Sequence, residues 1–291
     1  AYLGPDLWAQ LLYDFGLSES KLRDHRYDQV IHLATAADGA EAFYQTVNNA
    51  VRSESTEEAR RLDRLLVRAW MQHPHFVLVH NTSYKDFAAK LEGVLVAVYQ
   101  FLGEPLSCTF YKRFVVANPR GELFTLLQTR GDLQLTAFSI EDHIFFDQGG
   151  LALKYYRKRR QEETTLFTLC RKHFSAGQLI EQKRLISSKE FSSIAHLKLP
   201  NKHVLHKHRA AFTFRGCFML LDTMTLEGLT FSVLTAQGFQ EGSAPDIPDL
   251  IQRNIAWEAS NGPVELLLEL LVHPQTTFTG ERRAQLERFD T

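Results

Sequence analysis

With 291 residues, 44% hydrophobic and 23% charged, the chain is long enough for two domains and has the make-up of an ordinary globular protein. A formal net charge of −1 excludes the overall basic balance that draws proteins to nucleic acid, so no nucleic-acid partner is expected. No stretch reaches the ~20 apolar residues of a membrane-spanning helix, and no transmembrane segment is expected. Cys108, Cys170 and Cys217 share no close spacing. They read as buried thiols of a reducing intracellular compartment, the cytoplasm first, with a cilium or mitochondrion equally compatible.

In chain order, Pro5 and Asp6 open an amphipathic helix over 6–15, ended by Gly16; Leu7, Trp8, Leu11, Leu12 and Phe15 share its core-facing side. A nearly continuous apolar strand is predicted over 27–34, then a small-residue loop over 35–39 and a short helix over 40–44. Ser55 and the acids behind it start a charged helix running to about residue 71. His73-Pro74 breaks it, and 76–79 is a second buried strand. The segment 22–81 thus has the strand–helix–strand rhythm of a βαβ unit with parallel strands. A helix over 84–102 follows, and Gly103-Glu104-Pro105 marks a boundary. Beyond it the pattern changes to period-2 strands over 109–117, 122–129, 134–146, 151–159, 165–174, 178–186, 206–214, 217–225 and 229–236, with one helix inserted at 187–195. The pattern predicts an antiparallel barrel or strongly curved sheet. A loop over 238–248, helices over 249–259 and 263–272, and a polar tail complete the chain.

The run RYDQVIHLATAADGAEAFYQTVNNAVRSESTEEARRLDRLLVRAWMQHPHFVLVHN resembles the lid-bearing second half of an AAA-type P-loop NTPase domain. That family joins the domain to a barrel like that of the triphosphate tunnel metalloenzymes, called CYTH. ALKYYRKRRQEETTLFTLCRK, GQLIEQKRLISSKEF and HKHRAAFTFRGCFMLLD continue the likeness. The resemblance implies a partial P-loop-like α/β domain (1–105), a CYTH-like antiparallel β-barrel (106–238) and a helical or extended tail (239–291). It also implies a family whose members are described as binding GTP and an acidic phospholipid.

Phosphate cradling needs G-x-x-x-x-G-K-[ST], and no stretch here satisfies it. In the family that loop lies upstream of the part matched here. Two alternatives stand: a phosphate loop in a preceding segment, with GTP or ATP and Mg2+ as cofactor, or a degenerate domain. By resemblance, lid arginines Arg52 and Arg60 would meet phosphate, and Asn81 would sit where open α/β sheets bind ligands. The alternative for the arginines is a solvated helix paired with Glu57, Glu58 and Asp63; for Asn81 it is a turn.

In the barrel, alternation places Arg157 with Arg159, Thr168 and Cys170 with Lys172, Glu181 with Lys183, and Lys207 with Arg209. If those faces point inward, the lumen is basic. With Lys112 and Asp222 they form a candidate site for a phosphate-rich small ligand or acidic lipid head group. Tunnel enzymes also use Glu-x-Glu pairs for a divalent metal, and neither the first strand nor the last carries one. His206 and His208 share a strand face near His203, but no carboxylate or Cys completes a zinc set, so no metal site is assigned. The reading is a non-catalytic AAA/CYTH-type protein, a scaffold or accessory subunit with protein partners in a larger assembly. The rivals are a GTP- or ATP-binding P-loop protein and a CYTH-type triphosphatase using the barrel alone.

Overall fold

Val30–Leu33 (β1) and Phe76–Val79 (β2) lie side by side in the computed structural model as a two-stranded parallel sheet, Val30 opposite Phe76 and Leu33 opposite Val79. The structure describes residues 3–44, 54–102, 111–118, 120–130, 133, 135–146, 152–161, 164–175, 178–197, 202–226, 228–237, 244–259 and 286. Between the strands, after a 3-10 turn at Glu41–Phe43, runs the helix Thr56–Trp70. The Ser55 hydroxyl starts it by accepting from the Glu58 amide, and Glu57 and Glu58 lie at the positive end of its dipole.

Pro5–Asp14 (α1) and Glu19–Asp24 (α2) precede β1; the helix between the strands is α3, and Phe87–Leu102 (α4) follows them. Helix α1 corrects one expectation. None of its residues is buried, and Leu7, Tyr13 and Phe15 face outward. Helix α2 was not anticipated; the Ser18 hydroxyl caps it, accepting from the Lys21 amide.

Among the described residues the remaining strands form one antiparallel sheet of nine. They are Tyr111–Ala117 (β3), Thr136–Phe146 (β4), Ala152–Gln161 (β5), Thr164–Ser175 (β6), Gln178–Leu185 (β7), Lys202–Phe214 (β8), Cys217–Leu226 (β9), Leu229–Gln237 (β10) and Ile255–Ala259 (β11). The order is β11-β3-β10-β9-β8-β4-β5-β6-β7. Among the described residues it does not close, which corrects the expected barrel. The first sheet strand, β3, already pairs with β10 on one side and β11 on the other, so it has no free edge to offer β7.

Two elements change type. Residues 122–129 were expected as a strand, yet Leu123–Gln128 (α5) is helical, with Leu123 and Leu127 buried on one side and the Asn118 side chain accepting from the Leu123 amide. The segment 249–259 was expected as a helix. It is a short helix, Asp249–Gln252 (α7), followed by β11, because the edge of β3 takes up the backbone groups of Ile255–Ala259. Strand β8 begins earlier than the expected 206. The expected helix at 263–272 and Cys108 lie outside the described residues. Cys170 and Cys217 are buried, neither in a disulfide. Among the described residues no helix is long and apolar enough to cross a membrane.

Alternation splits the nine-stranded sheet into two faces. On the inner face, Val115, Phe231, Leu205, Ile144, Tyr155 and Cys170 form one apolar cluster. Farther along the same strand faces, Phe138, Ile140, Ala211 and Phe218 receive Val67 and Met71 of α3 with Phe76 and Leu78 of β2. The Phe76 and Phe218 rings meet edge to face, 5.6 Å between centroids. The small α/β unit therefore sits on the inner face. On the outer face, α5 and α7 cover Phe212, Met219 and Leu234. Ser188–Ala195 (α6) sets Phe191 over Tyr156 and Leu169.

Candidate functional site

Between the two apolar regions of the inner face lies a band of charge. Strand β4 brings Asp142 opposite Arg157 of β5 and Leu205 of β8; β8 brings Arg209 opposite Asp222 of β9. Asp142 accepts from Arg157 Nε at 2.7 Å and from its second fork nitrogen at 2.8 Å. Lys207 Nζ bridges the two carboxylates, 3.1 Å from Asp142 and 3.3 Å from Asp222. Arg209 grips Asp222 with both fork nitrogens. These five side chains are only 3% to 16% exposed, so their charges interact with little help from water.

Burial alone would raise both carboxyls. The charges of Arg157 and Lys207 more than reverse this at Asp142, and Arg209 and Lys207 do so at Asp222, holding both well below the usual carboxylate range. Burial would lower the Arg157 guanidinium, but Asp142 lifts it well above its ordinary value. Its face also lies 4.9 Å from the Tyr155 ring centroid.

The neighbouring Arg159 belongs to the seam with the α/β unit. It donates to the Gln72 carbonyl behind α3 and lies 3.6 Å from Asp24 of α2. Asp24, fully buried, is also held by both fork nitrogens of Arg23 at 2.7 and 2.8 Å. Burial pushes Arg159 down to about 10.

The structure thus brings together Arg157, Arg159, Lys207, Arg209 and Asp222 on one face, where alternation by itself pairs only Arg157 with Arg159 and Lys207 with Arg209. The register adds Lys183 beside Cys170 and sets Lys172 opposite Glu181. Lys112 is a correction: it pairs opposite Ala236 on the outer face and lies 3.5 Å from Glu258 of β11. The register puts its neighbour Arg113 in the inner row instead. Asp142 was missed. Its signal was a lone carboxylate among Phe138, Ile140 and Ile144, where period 2 demands apolar residues.

In the α/β unit, Arg52 lies outside the described residues. Arg60 donates to the Ala37 carbonyl and to Glu41, closing the loop after β1. Asn81 donates to the carbonyls of Thr35 and Asp38 at 2.7 and 2.6 Å and accepts from buried Lys90 at 2.6 Å. Both hold the chain's own loops, where the sequence suggested nucleotide contacts.

A divalent metal of the tunnel-enzyme kind needs carboxylates with free lone pairs. Asp142 and Asp222 already hold three cations, and among the described residues no group of three or more metal-type ligands converges. The donor set on this face does not fit such a metal.

No family model matches the chain, and no curated protein does. Among solved structures it is similar to the PH1819 protein of Pyrococcus horikoshii (14% identity, 55% of this chain and 99% of that one, TM-score 0.37). It is also similar to the inorganic triphosphatase NE1496 (15% identity, 54% and 90%, TM-score 0.33). Likeness of that degree fixes neither the family nor the activity of this chain, which stands as a nine-stranded open antiparallel sheet carrying a small parallel α/β unit.

Proposed function

We propose that this chain is a non-catalytic CYTH-like protein, its α/β unit of P-loop-like ancestry, that serves as an accessory subunit or scaffold in a larger assembly. The observation that carries the reading is the ionic band. A triphosphate pocket needs cations whose charge is left for the ligand. Here Arg157, Lys207 and Arg209 are all engaged by Asp142 and Asp222, which leaves one net positive charge among the five, and the α/β unit packs over the same face. Charge that would hold a substrate instead holds the fold together.

Partner binding is supported by α4. Phe87, Leu91, Leu95 and Tyr99 recur every four residues and, with Leu102, remain exposed, forming a ridge suited to an apolar helix of a partner protein.

The test is phosphate release from GTP, ATP and tripolyphosphate, with and without Mg2+ or Mn2+. No release is expected. Metal-dependent release that disappears in Arg157→Lys would overturn the proposal in favour of a triphosphatase.

A further inference from the structure

The outer face carries a second polar feature that the ionic band does not explain. Four neighbouring strands, β5, β4, β8 and β9, set two rows of polar side chains across the sheet. Register aligns Arg160, Ser139, His208 and Thr223 in one row. It aligns Lys158, Glu141 and His206 in the next, which ends on Thr225. Apolar rows bound them. Ala210 and Leu221 are buried beneath α5 and α7 on one side, and Tyr156 is buried beneath Phe191 of α6 on the other. The helices stand above the sheet there, so the two rows floor a groove of about 600 Å3, a small-molecule volume.

We infer that this groove is a binding site for a small polyanion of the phosphate class. Of its two fixed cations, Lys158 is engaged by Glu141, whereas Arg160 is not consumed as the cations of the inner face are. Glu141 is held by His143 Nε2 at 2.7 Å and Lys158 at 3.4 Å, which fixes the Lys158 side of the groove. Arg160 makes no ion pair or hydrogen bond among the described residues, and neither does His206. An unclaimed guanidinium fork matches two phosphate oxygens, and the exposed Ser139 hydroxyl beside it supplies a further donor. His208 is positioned by the Phe124 ring, 4.5 Å between centroids. Burial lowers its pKa, so near neutrality it is a one-proton donor, not a second fixed charge.

A metal is the competing ligand for two histidines and a glutamate. Glu141 is already bound on both sides, and among the described residues no set of three ligands converges. An anion fits the groove and a cation does not.

The test is isothermal titration of the full chain with inorganic tripolyphosphate. Arg160→Gln and His206→Gln are expected to weaken binding, Arg160→Gln about tenfold or more, as for the loss of one charged two-point contact. Arg215→Gln removes the same charge from a hairpin tip outside the groove and should leave binding unchanged. The Arg160 and His206 side chains lie at the surface and make no ion pair or hydrogen bond among the described residues, so folding of both variants, checked by circular dichroism, is expected. Absence of binding by the folded protein would overturn the inference. So would full affinity in Arg160→Gln, or an equal loss in Arg215→Gln, which would mean unspecific charge attraction. Binding without hydrolysis leaves the non-catalytic reading intact; hydrolysis lost in Arg157→Lys but kept in Arg160→Gln would sink that reading alone.

Discussion

Asp142→Ala is the perturbation that reads the ionic band most directly. The carboxylate accepts both fork nitrogens of Arg157 at 2.7 and 2.8 Å and sits 3.1 Å from Lys207. Without it Lys207 keeps Asp222, but Arg157 stays buried against the Tyr155 ring with its charge unanswered. Breaking a buried pair from one side costs about 3–5 kcal/mol. Whole-domain stabilities are on the order of 5–15 kcal/mol, so this is a large share. The melting temperature should fall by roughly 6–15 °C. The double variant Asp142→Leu/Arg157→Met removes both charges and refills the space. It should recover most of the loss, since apolar replacement of a buried pair is often near neutral. Urea unfolding of the wild type, Asp142→Leu, Arg157→Met and the double variant, at unchanged slope, measures the coupling. A single-variant cost below about 1 kcal/mol, or a double variant as poor as the two singles added, would refute the claim that these charges are desolvated and mutually dependent.

The same band sets an acid dependence. Folded-state pKa values of Asp142 and Asp222 lie below their unfolded values, so their contribution is complete above the unfolded carboxyl value and declines as pH falls from about 5. Burial also lowers His73, whose loss adds in the same direction as pH passes below about 6.5. A urea midpoint that rose on acidification would contradict this sign. Phe218→Ala, which removes the ring against Phe76, should cost about 3–5 kcal/mol and raise protease access to 22–81 before the nine-stranded sheet yields. Gly216→Ala should destabilise by roughly 1–3 kcal/mol, because φ is +81° and the added carbon would meet His80 and Thr82 at 2.5 Å. Calorimetric melting checks it. Replacing Leu91 and Leu95 by lysine should change stability by no more than about 0.5 kcal/mol while reducing binding of an apolar dye, as expected for a ridge already in water.

Much of this architecture is legible in the sequence wherever one local period decides. Parallel pairing of β1 and β2 follows from two short apolar runs around a charged helix. Alternation alone pairs Arg157 with Arg159 and Lys207 with Arg209 on their own strands, and the register of β4 between β5 and β8 brings the two pairs to one face. What stays hidden depends on partners distant in the chain. Leu123, Phe124, Leu126 and Leu127 fit a helix as well as a strand, and burial of Leu123 and Leu127 against Phe212, Met219 and Leu234 of the sheet chooses between them. The helix-like composition of Ile255–Ala259 is overruled by the open edge of β3. The ionic band itself needs four strands in place before Asp142 is seen to answer Arg157 and Asp222 to answer Arg209, and the seam needs α2 before Asp24 is seen to answer Arg159. A charged side chain in an apolar row signals an unseen counter-charge, without telling which element supplies it.

Strand β8 serves both faces of the sheet at once, and this makes its alignment unusually consequential. Lys207 and Arg209 point into the ionic band while His206 and His208 floor the groove. A slip by one residue would exchange the pairs and set Asp142 and Asp222 against imidazoles in place of the fixed charges of Lys207 and Arg209. The tight Arg215-Gly216 turn, with φ of +45° and +81°, guards against that slip from one end. Charge guards against it from the middle. The band thus acts as a proofreader of strand alignment.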